Sequence, residues 1–92
     1  MDLQNLPQVQ GYHKQAAEET LALALDLAVQ KPTAVPEQLH AARHHAILAG
    51  DTKLIDRIDG TSEEILGQAH SDVDVDTLEK CQHYVDQRWP QY

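Results

Sequence analysis

Phenylalanine is absent from this 92-residue chain, and aromatic residues make up only 4% of it. A hydrophobic core must therefore come from leucine, isoleucine, valine and alanine, a set that is compatible with helices. A chain of this length supplies one core and no second one. We expect a single helical domain over residues 1–92.

Basic residues are scarce as well. Seven Lys and Arg residues stand against fifteen Asp and Glu residues, which gives a formal net charge of −8. That charge repels phosphate backbones and anionic lipid headgroups, so direct binding to nucleic acid or to a membrane is disfavoured. A protein with a basic surface is the partner that the charge favours.

Long apolar runs and paired cysteines are also lacking. The longest mostly apolar stretch, Leu21 to Val29, contains Asp26 and is about half as long as a membrane span. The N-terminus has neither the positive region nor the apolar core of a signal peptide, which favours an intracellular, cytoplasmic location. The lone Cys81 cannot form an intramolecular disulfide. Its neighbours Leu78 and Val85 predict that it is a small buried hydrophobe.

Helical patterns fill most of what remains, beginning with a long first helix. This helix is predicted to start near Leu6, where Pro7 suits a first helical turn, and to run to Gln30. Alanines and leucines recur along it at steps of three and four residues. Four leucines at alternate positions also point around nearly the whole circumference, so this helix is either central to the fold or shared with another chain. They are Leu21, Leu23, Leu25 and Leu27.

Prolines and glycines mark the next boundaries. The Pro32–Pro36 segment is predicted to break the helix, because each proline biases the residue before it away from helical angles. A second helix is predicted from Pro36 to Gly50, a residue suited to a left-handed C-cap. Asp51 is predicted to cap a third helix that reaches Gly60.

The last third of the chain is predicted to hold two more helices. Thr61 and Glu64 have the spacing of a capping box, which favours a short fourth helix, although a single glycine at position 60 could also leave one bent helix. The final helix is predicted to follow an acidic entry and to end at Pro90. The predicted fold is therefore all-α, a compact bundle of four to five helices with a long central first helix.

Six histidines in 92 residues are the most suggestive chemical feature. Glu37, His40 and His44 are spaced so that their side chains could reach one ion from one helix face. The alternative is that His40, His44 and His45 form a solvated polar face. A third possibility is a pH switch, in which the histidines gain charge near pH 6.5. We predict no metal and no cofactor, and Glu37, His40 and His44 are the best-spaced candidates for a metal site.

Three aspartates precede the last helix in an alternating pattern, Asp72, Asp74 and Asp76. The pattern resembles the start of a calcium loop, but Thr77 and His83 stand where such a loop needs glycine and glutamate. Capping of the helix N-terminus explains these carboxylates better.

The C-terminal segment holds the main concentration of aromatic residues. Its members are of the types that dominate interface hot spots, and we predict that they form a partner-binding patch. The alternative is that Trp89 simply closes the core. The predicted patch consists of Tyr84, Arg88, Trp89 and Tyr92.

No catalytic signature accompanies these features. Gly-rich phosphate loops, zinc-finger cysteine pairs and G-x-S-x-G elbows are absent from the sequence. We therefore predict that the chain is no enzyme and acts as a small acidic protein-interaction module. Inhibitors of nucleic-acid-handling proteins that phages or mobile elements encode fit this physical description, as do small antitoxins and assembly chaperones.

Acidic residues gathered on one exposed face would mark such a module. The candidates are Glu18, Glu19, Glu63, Glu64, Asp72, Asp74 and Asp76. One alternative is a self-associating structural or assembly subunit, a homodimer through the leucine-rich first helix. The other alternative is a metal-binding protein that uses the histidine and glutamate side chains named above.

Overall fold

Four α-helices make up the described part of the chain, residues 7–68 and 73–90, in the computed structural model. Helix α1 spans Pro7–Gln30, and a 3₁₀ turn over Pro32–Ala34 leads into α2, Val35–Ala49. Helix α3 spans Thr52–Leu66, and α4 spans Val75–Arg88. The prediction of an all-α bundle with a long first helix is confirmed. Within the described residues, no helix is long and apolar enough to cross a membrane.

Capping residues that can be recognised in the sequence set three of the helix ends. Gly50 ends α2 in a left-handed conformation with φ of 67°. A residue with a Cβ would adopt this conformation only with steric strain. The Asp51 carboxylate accepts a hydrogen bond from the Leu54 N–H at 3.1 Å and caps α3. Asp74 caps α4 in the same way, accepting from the Asp76 N–H at 3.1 Å. These three predicted boundaries are confirmed.

At Gly60 the sequence left two arrangements open, a separate fourth helix or one continuous helix, and the structure has the continuous helix, with α3 running through that glycine to Leu66. The Thr61 hydroxyl donates to the Arg57 carbonyl one turn back, so Thr61 lies inside the helix and forms no capping box. Ile58 is buried, and Leu66, two turns further on, packs against the same core. A break at Gly60 would remove Leu66 from that core, and this loss outweighs the cost of one helical glycine, about 1 kcal/mol.

Three helices share the hydrophobic core, and α2 packs against each of the others. Small alanines at the helix crossings let α1 and α2 approach closely, and the larger side chains fill the space beside them. The core consists of Ala17, Leu21, Ala24, Val35, Leu39, Ala42, Ala46, Leu54 and Ile58. Helix α4 adds the buried Cys81 and Val85.

Candidate functional site

A groove of about 380 Å³ opens between α1, α2 and α4. Its walls come from the middle of α1 and from residues 77–84 of α4, and α2 forms its floor. Most of the exposed lining surface comes from apolar atoms, although seven of the eleven lining residues have polar side chains. The groove is lined by Thr20, Leu23, Glu37, Gln38, His40, Ala41, His45, Thr77, Lys80, Cys81 and Tyr84.

The groove exists because α4 is anchored at its two ends. At the C-terminal end, Trp89 stacks on Tyr12 of α1 with ring centroids 4.8 Å apart. At the N-terminal end, the Asp74 N–H donates to His44 Nε2 of α2 at 2.8 Å. Between these anchors α1 and α4 have few contacts with each other, and the space between them stays open above α2.

Leu23 and Tyr84 are the large side chains that face this space from opposite walls. Leu23 is 46% exposed and Tyr84 is 45% exposed. Exposed apolar surface inside a concave site is the usual character of a binding pocket. Leu25 of the same helix is equally exposed but does not line the groove.

The predicted aromatic patch is divided between two roles. Tyr84 lines the groove, while Arg88 and Trp89 fasten α4 to α1. The Arg88 guanidinium lies 4.3 Å from the centroid of the Trp89 ring, and its Nη2 donates to Glu19 at 3.0 Å. Trp89 is half-buried, so it neither closes the core nor stands free. The fourth member, Tyr92, lies outside the described residues.

Cys81 is buried in the α4 wall of the groove, and its burial confirms the prediction from the sequence. Burial raises the pKa of its thiol to about 11. The Sγ–H group points at the Ala41 carbonyl oxygen, 3.8 Å away. A thiol with this pKa stays protonated at neutral pH and is a poor nucleophile.

The interpretation of the histidines as a solvated face is wrong for two of the three. His44 and His45 are buried, and only His40 is partly exposed. A further buried histidine, His13 on α1, was missed by the sequence reasoning. The burial of His13 could have been predicted from the sequence, because Val9, His13 and Leu21 belong to one series of buried positions at four-residue steps along α1.

His13 and His45 form a buried pair beneath the groove. Their Nδ1 atoms are 3.1 Å apart, so one nitrogen must donate its proton while the other accepts. The Tyr84 ring packs on His45 in a T-shaped arrangement, with ring centroids 5.6 Å apart. Burial lowers the pKa of His45 to about 4 and also lowers the pKa of His13. Both rings are therefore neutral at physiological pH.

His44 links α2 to the start of α4 through both of its ring nitrogens. Nδ1 donates to the His40 carbonyl oxygen at 2.7 Å, and Nε2 accepts from the Asp74 N–H. This pattern defines a neutral tautomer, and burial lowers the pKa of the ring. Neither nitrogen of His44 retains a lone pair for a metal ion.

The other two metal candidates also have different surroundings. Glu37 is exposed at the groove edge, and His40 lies 3.4 Å from a carboxylate oxygen of Asp74. Across residues 7–68 and 73–90, no three His, Cys, Asp or Glu side chains converge on a position that could hold an ion. The metal site that the spacing suggests is not assembled among these residues.

The predicted acidic residues are distributed over three helices. Glu63 and Glu64 are exposed at the end of α3, and Asp76 is exposed in the first turn of α4. Glu18 is exposed on α1, where its neighbour Glu19 pairs with Arg88.

Two of these carboxylates are used inside the fold. Hydrogen bonds from Arg88 lower the pKa of Glu19, and a hydrogen bond from Thr77 lowers the pKa of Asp74. Both carboxylates therefore stay ionised at neutral pH. The remaining candidate, Asp72, lies outside the described residues.

Comparisons with known proteins add no assignment: the chain matches no protein-family model, no curated protein and no solved structure. The groove and the charges that surround it are therefore the features that bear on function.

Proposed function

We propose that the chain is a non-enzymatic protein-interaction domain that binds its partner in the groove between α1, α2 and α4. The observation that carries this proposal is an open groove with a mostly apolar exposed surface and two half-exposed large side chains, Leu23 and Tyr84, on facing walls. A buried partner side chain between them would remove apolar surface from water on both sides.

The groups that could carry chemistry support binding over catalysis. Cys81 holds its thiol proton, and both nitrogens of His44 have partners within the fold. His45 is held by His13, which leaves no free acid–base pair of the kind that general acid–base catalysis needs in these groups.

The net charge of −8 indicates the kind of partner. Electrostatic attraction toward a basic surface accelerates association and favours that surface over acidic ones. A cytoplasmic inhibitor that covers the basic surface of a nucleic-acid-handling protein is one form of such a module. The seven Lys and Arg residues stand singly along the sequence, which argues against binding the nucleic acid itself.

A matched pair of variants tests the site. Leu23→Asp places a charge in the groove, while Leu25→Asp places the same charge on the same helix at a position of equal exposure outside the groove. We expect a native-lysate pull-down to lose its main partner with Leu23→Asp and to retain it with Leu25→Asp. Mass spectrometry with quantification of each captured protein is the measurement.

Two outcomes would contradict the proposal. One is a partner that Leu23→Asp still captures at the wild-type level while both variants keep the helical circular dichroism of the parent. The other is the lack of any stoichiometric partner. Trp89→Ala is a useful third variant, because it loosens the contact between α4 and α1 without changing the groove lining directly.

Self-association is a second candidate, favoured by an apolar strip on the outer face of α1. Val29 is 87% exposed, and Leu25, one turn earlier, is 46% exposed. Two copies could bury this strip against each other. We expect sedimentation equilibrium to show a concentration-dependent dimer that Val29→Asp abolishes and Leu23→Asp leaves intact. A monomer at all concentrations would eliminate this candidate.

A further inference from the structure

We propose that the groove accepts a single amphipathic helix of the partner, with an apolar stripe that enters the groove and basic residues on either side of the stripe. This inference rests on the proposed function and specifies the shape and charge of the segment that binds. Its basis is the length of the groove, the helical nature of its walls and the charges along its rim.

The length of the groove matches two turns of helix. On α4 the lining residues run from Thr77 to Tyr84, which corresponds to about 10 Å of helix axis at a rise of about 1.5 Å per residue. Apolar side chains at positions i, i+4 and i+7 of a partner helix span the same distance. The volume of about 380 Å³ gives room for a small set of such side chains and no more.

The helical walls disfavour an extended peptide. Backbone N–H and C=O groups within α1, α2 and α4 already bond along their own helices, so the groove offers no strand edge. An extended segment in it would leave its own backbone groups without partners. A helix brings its backbone groups already paired, and therefore fits this groove without that cost.

Carboxylates outnumber cations around the groove. Glu37 lines it, and Asp74 contacts two lining residues, accepting from the Thr77 hydroxyl at 2.6 Å and lying 3.4 Å from His40 Nε2. On α1, Glu19 and Asp26 lie one helical turn from Leu23 in either direction, and both are exposed, as is Asp76 beside Thr77. Of the cations, Lys80 lines the groove, and Arg88 nearby is paired with Glu19.

This excess of carboxylates favours lysine and arginine beside the apolar stripe of the occupant. A second copy of this chain is a worse match, since it carries the same charge of −8. A small apolar molecule would use the groove floor but would make no use of the charged rim.

Three synthetic peptides of roughly 18 residues separate these features. The first has leucines at i, i+4 and i+7 and lysines at the flanking positions. The second is a scrambled isomer of identical composition without the stripe, and the third replaces every lysine of the first by glutamate. Binding to the full-length protein is followed by amide chemical-shift changes in two-dimensional NMR spectra, with the hydrophobic dye anilinonaphthalene sulfonate as a small-molecule probe.

We expect the striped lysine peptide to bind at least about tenfold more tightly than the other two, with shifts centred on Thr20, Ala41 and Tyr84. Leu23→Asp is expected to weaken this binding about tenfold or more, and Leu25→Asp to leave it within about twofold. Raising the salt from about 50 mM to about 500 mM is expected to weaken it several-fold, because the rim charges are exposed.

The inference is overturned by equal binding of the scrambled peptide, by equal or tighter binding of the glutamate peptide, or by no binding of any peptide. Shifts in the groove from the dye alone would assign the groove to small apolar molecules. The proposed function has its own test in the captured partner. A partner that Leu23→Asp loses, combined with no peptide binding, would retain the interaction domain and reject the basic helix as its ligand.

Discussion

Lowering the pH from about 7.5 to about 5 is expected to reduce the free energy of unfolding by about 2 kcal/mol through His45 alone. His45 is 4% exposed, and its pKa is lowered from an ordinary value of 6.5 to about 4, mainly by burial and also by repulsion from charge on His13 and His44. His13 and His44 have lowered pKa values of their own and act in the same direction.

The sign of the effect follows from where the protons bind. The unfolded chain takes up a proton on this side chain near pH 6.5, and the folded chain does so only near pH 4. Between these values the unfolded state binds more protons, so stability is complete above pH 6.5 and declines as the pH falls. The groups that face His45 are His13 from α1, His44 from α2 and Tyr84 from α4. The negative charge of Asp86 on α4 raises the pKa of His13 and so partly opposes the lowering of that pKa by burial.

Urea unfolding at several pH values, followed by circular dichroism, measures this dependence. Carboxylates contribute little above pH 5, because the ordinary pKa values of Glu19 and Asp74 are 4.5 and 3.8 and both are lowered here. His45→Asn keeps a polar atom near the Nδ1 position but cannot gain a charge. We expect this variant to start from a lower stability at pH 7.5 and to lose much less of it by pH 5.

His83 supplies the matched control, since it is exposed on α4. His83→Asn is expected to leave the dependence on pH unchanged. A wild-type free energy of unfolding that stays constant between pH 7.5 and pH 5 would show that the pair is not buried as described. An equal decline in His45→Asn would assign the effect to other groups.

Replacing His44 by alanine is expected to destabilise the fold by about 3 kcal/mol. The side chain is fully buried, so its removal leaves a cavity between α2 and α4. The Asp74 N–H also loses its acceptor at the start of α4. Because α4 contributes only Cys81 and Val85 to the buried apolar residues described, this anchor carries a large share of its attachment.

Hydrogen exchange measured residue by residue distinguishes loss of this anchor from general destabilisation. Amides of α4 are expected to lose more protection than amides of α3, which packs on α2 through its own apolar face. His44→Gln places an acceptor oxygen near the position of Nε2 and is expected to recover at least about 1 kcal/mol relative to His44→Ala. Equal loss of protection in α3 and α4, with no recovery in His44→Gln, would contradict the assigned role.

Both predictions concern the groove: His45 lines it, and His44 holds α4, one of its walls, in place. Helix α4 carries Thr77, Lys80, Cys81 and Tyr84 into the lining, and its position depends on His44 at one end and Trp89 at the other. His45 lies in the groove lining itself. A pH switch in which histidines gain charge near pH 6.5 is not supported for His13, His44 and His45, because burial lowers the pKa of each of these rings.

Helix boundaries were predictable because they depend on neighbours in the chain. Gly50, Asp51 and Asp74 act through bonds to residues within four positions of themselves. The burial of Cys81 also followed from the apolar spacing around it. The continuity of α3 through Gly60 was the exception. It depends on the contact of Leu66 with a core built largely from other helices, which residues near Gly60 in the chain do not reveal.

The histidines show why the site itself was harder to predict. Polar residues at three- and four-residue spacing read equally well as a solvated face or as a metal site. His44 and His45 are instead buried, because α4 and α1 supply the partners Asp74 and His13, which lie about thirty residues away in sequence. Likewise, Leu23 and Leu25 are indistinguishable in the sequence, and only the packing of α4 places Leu23 in a groove.

Composition and residues close together in the chain were enough to predict the all-α class, the helix caps, the acidic charge and the apolar faces. The continuous α3, the neutral buried histidines and the groove each require two or three helices to meet, so they follow only from the folded arrangement. Local propensities specify single helices, whereas burial and the spaces between helices are properties of their packing.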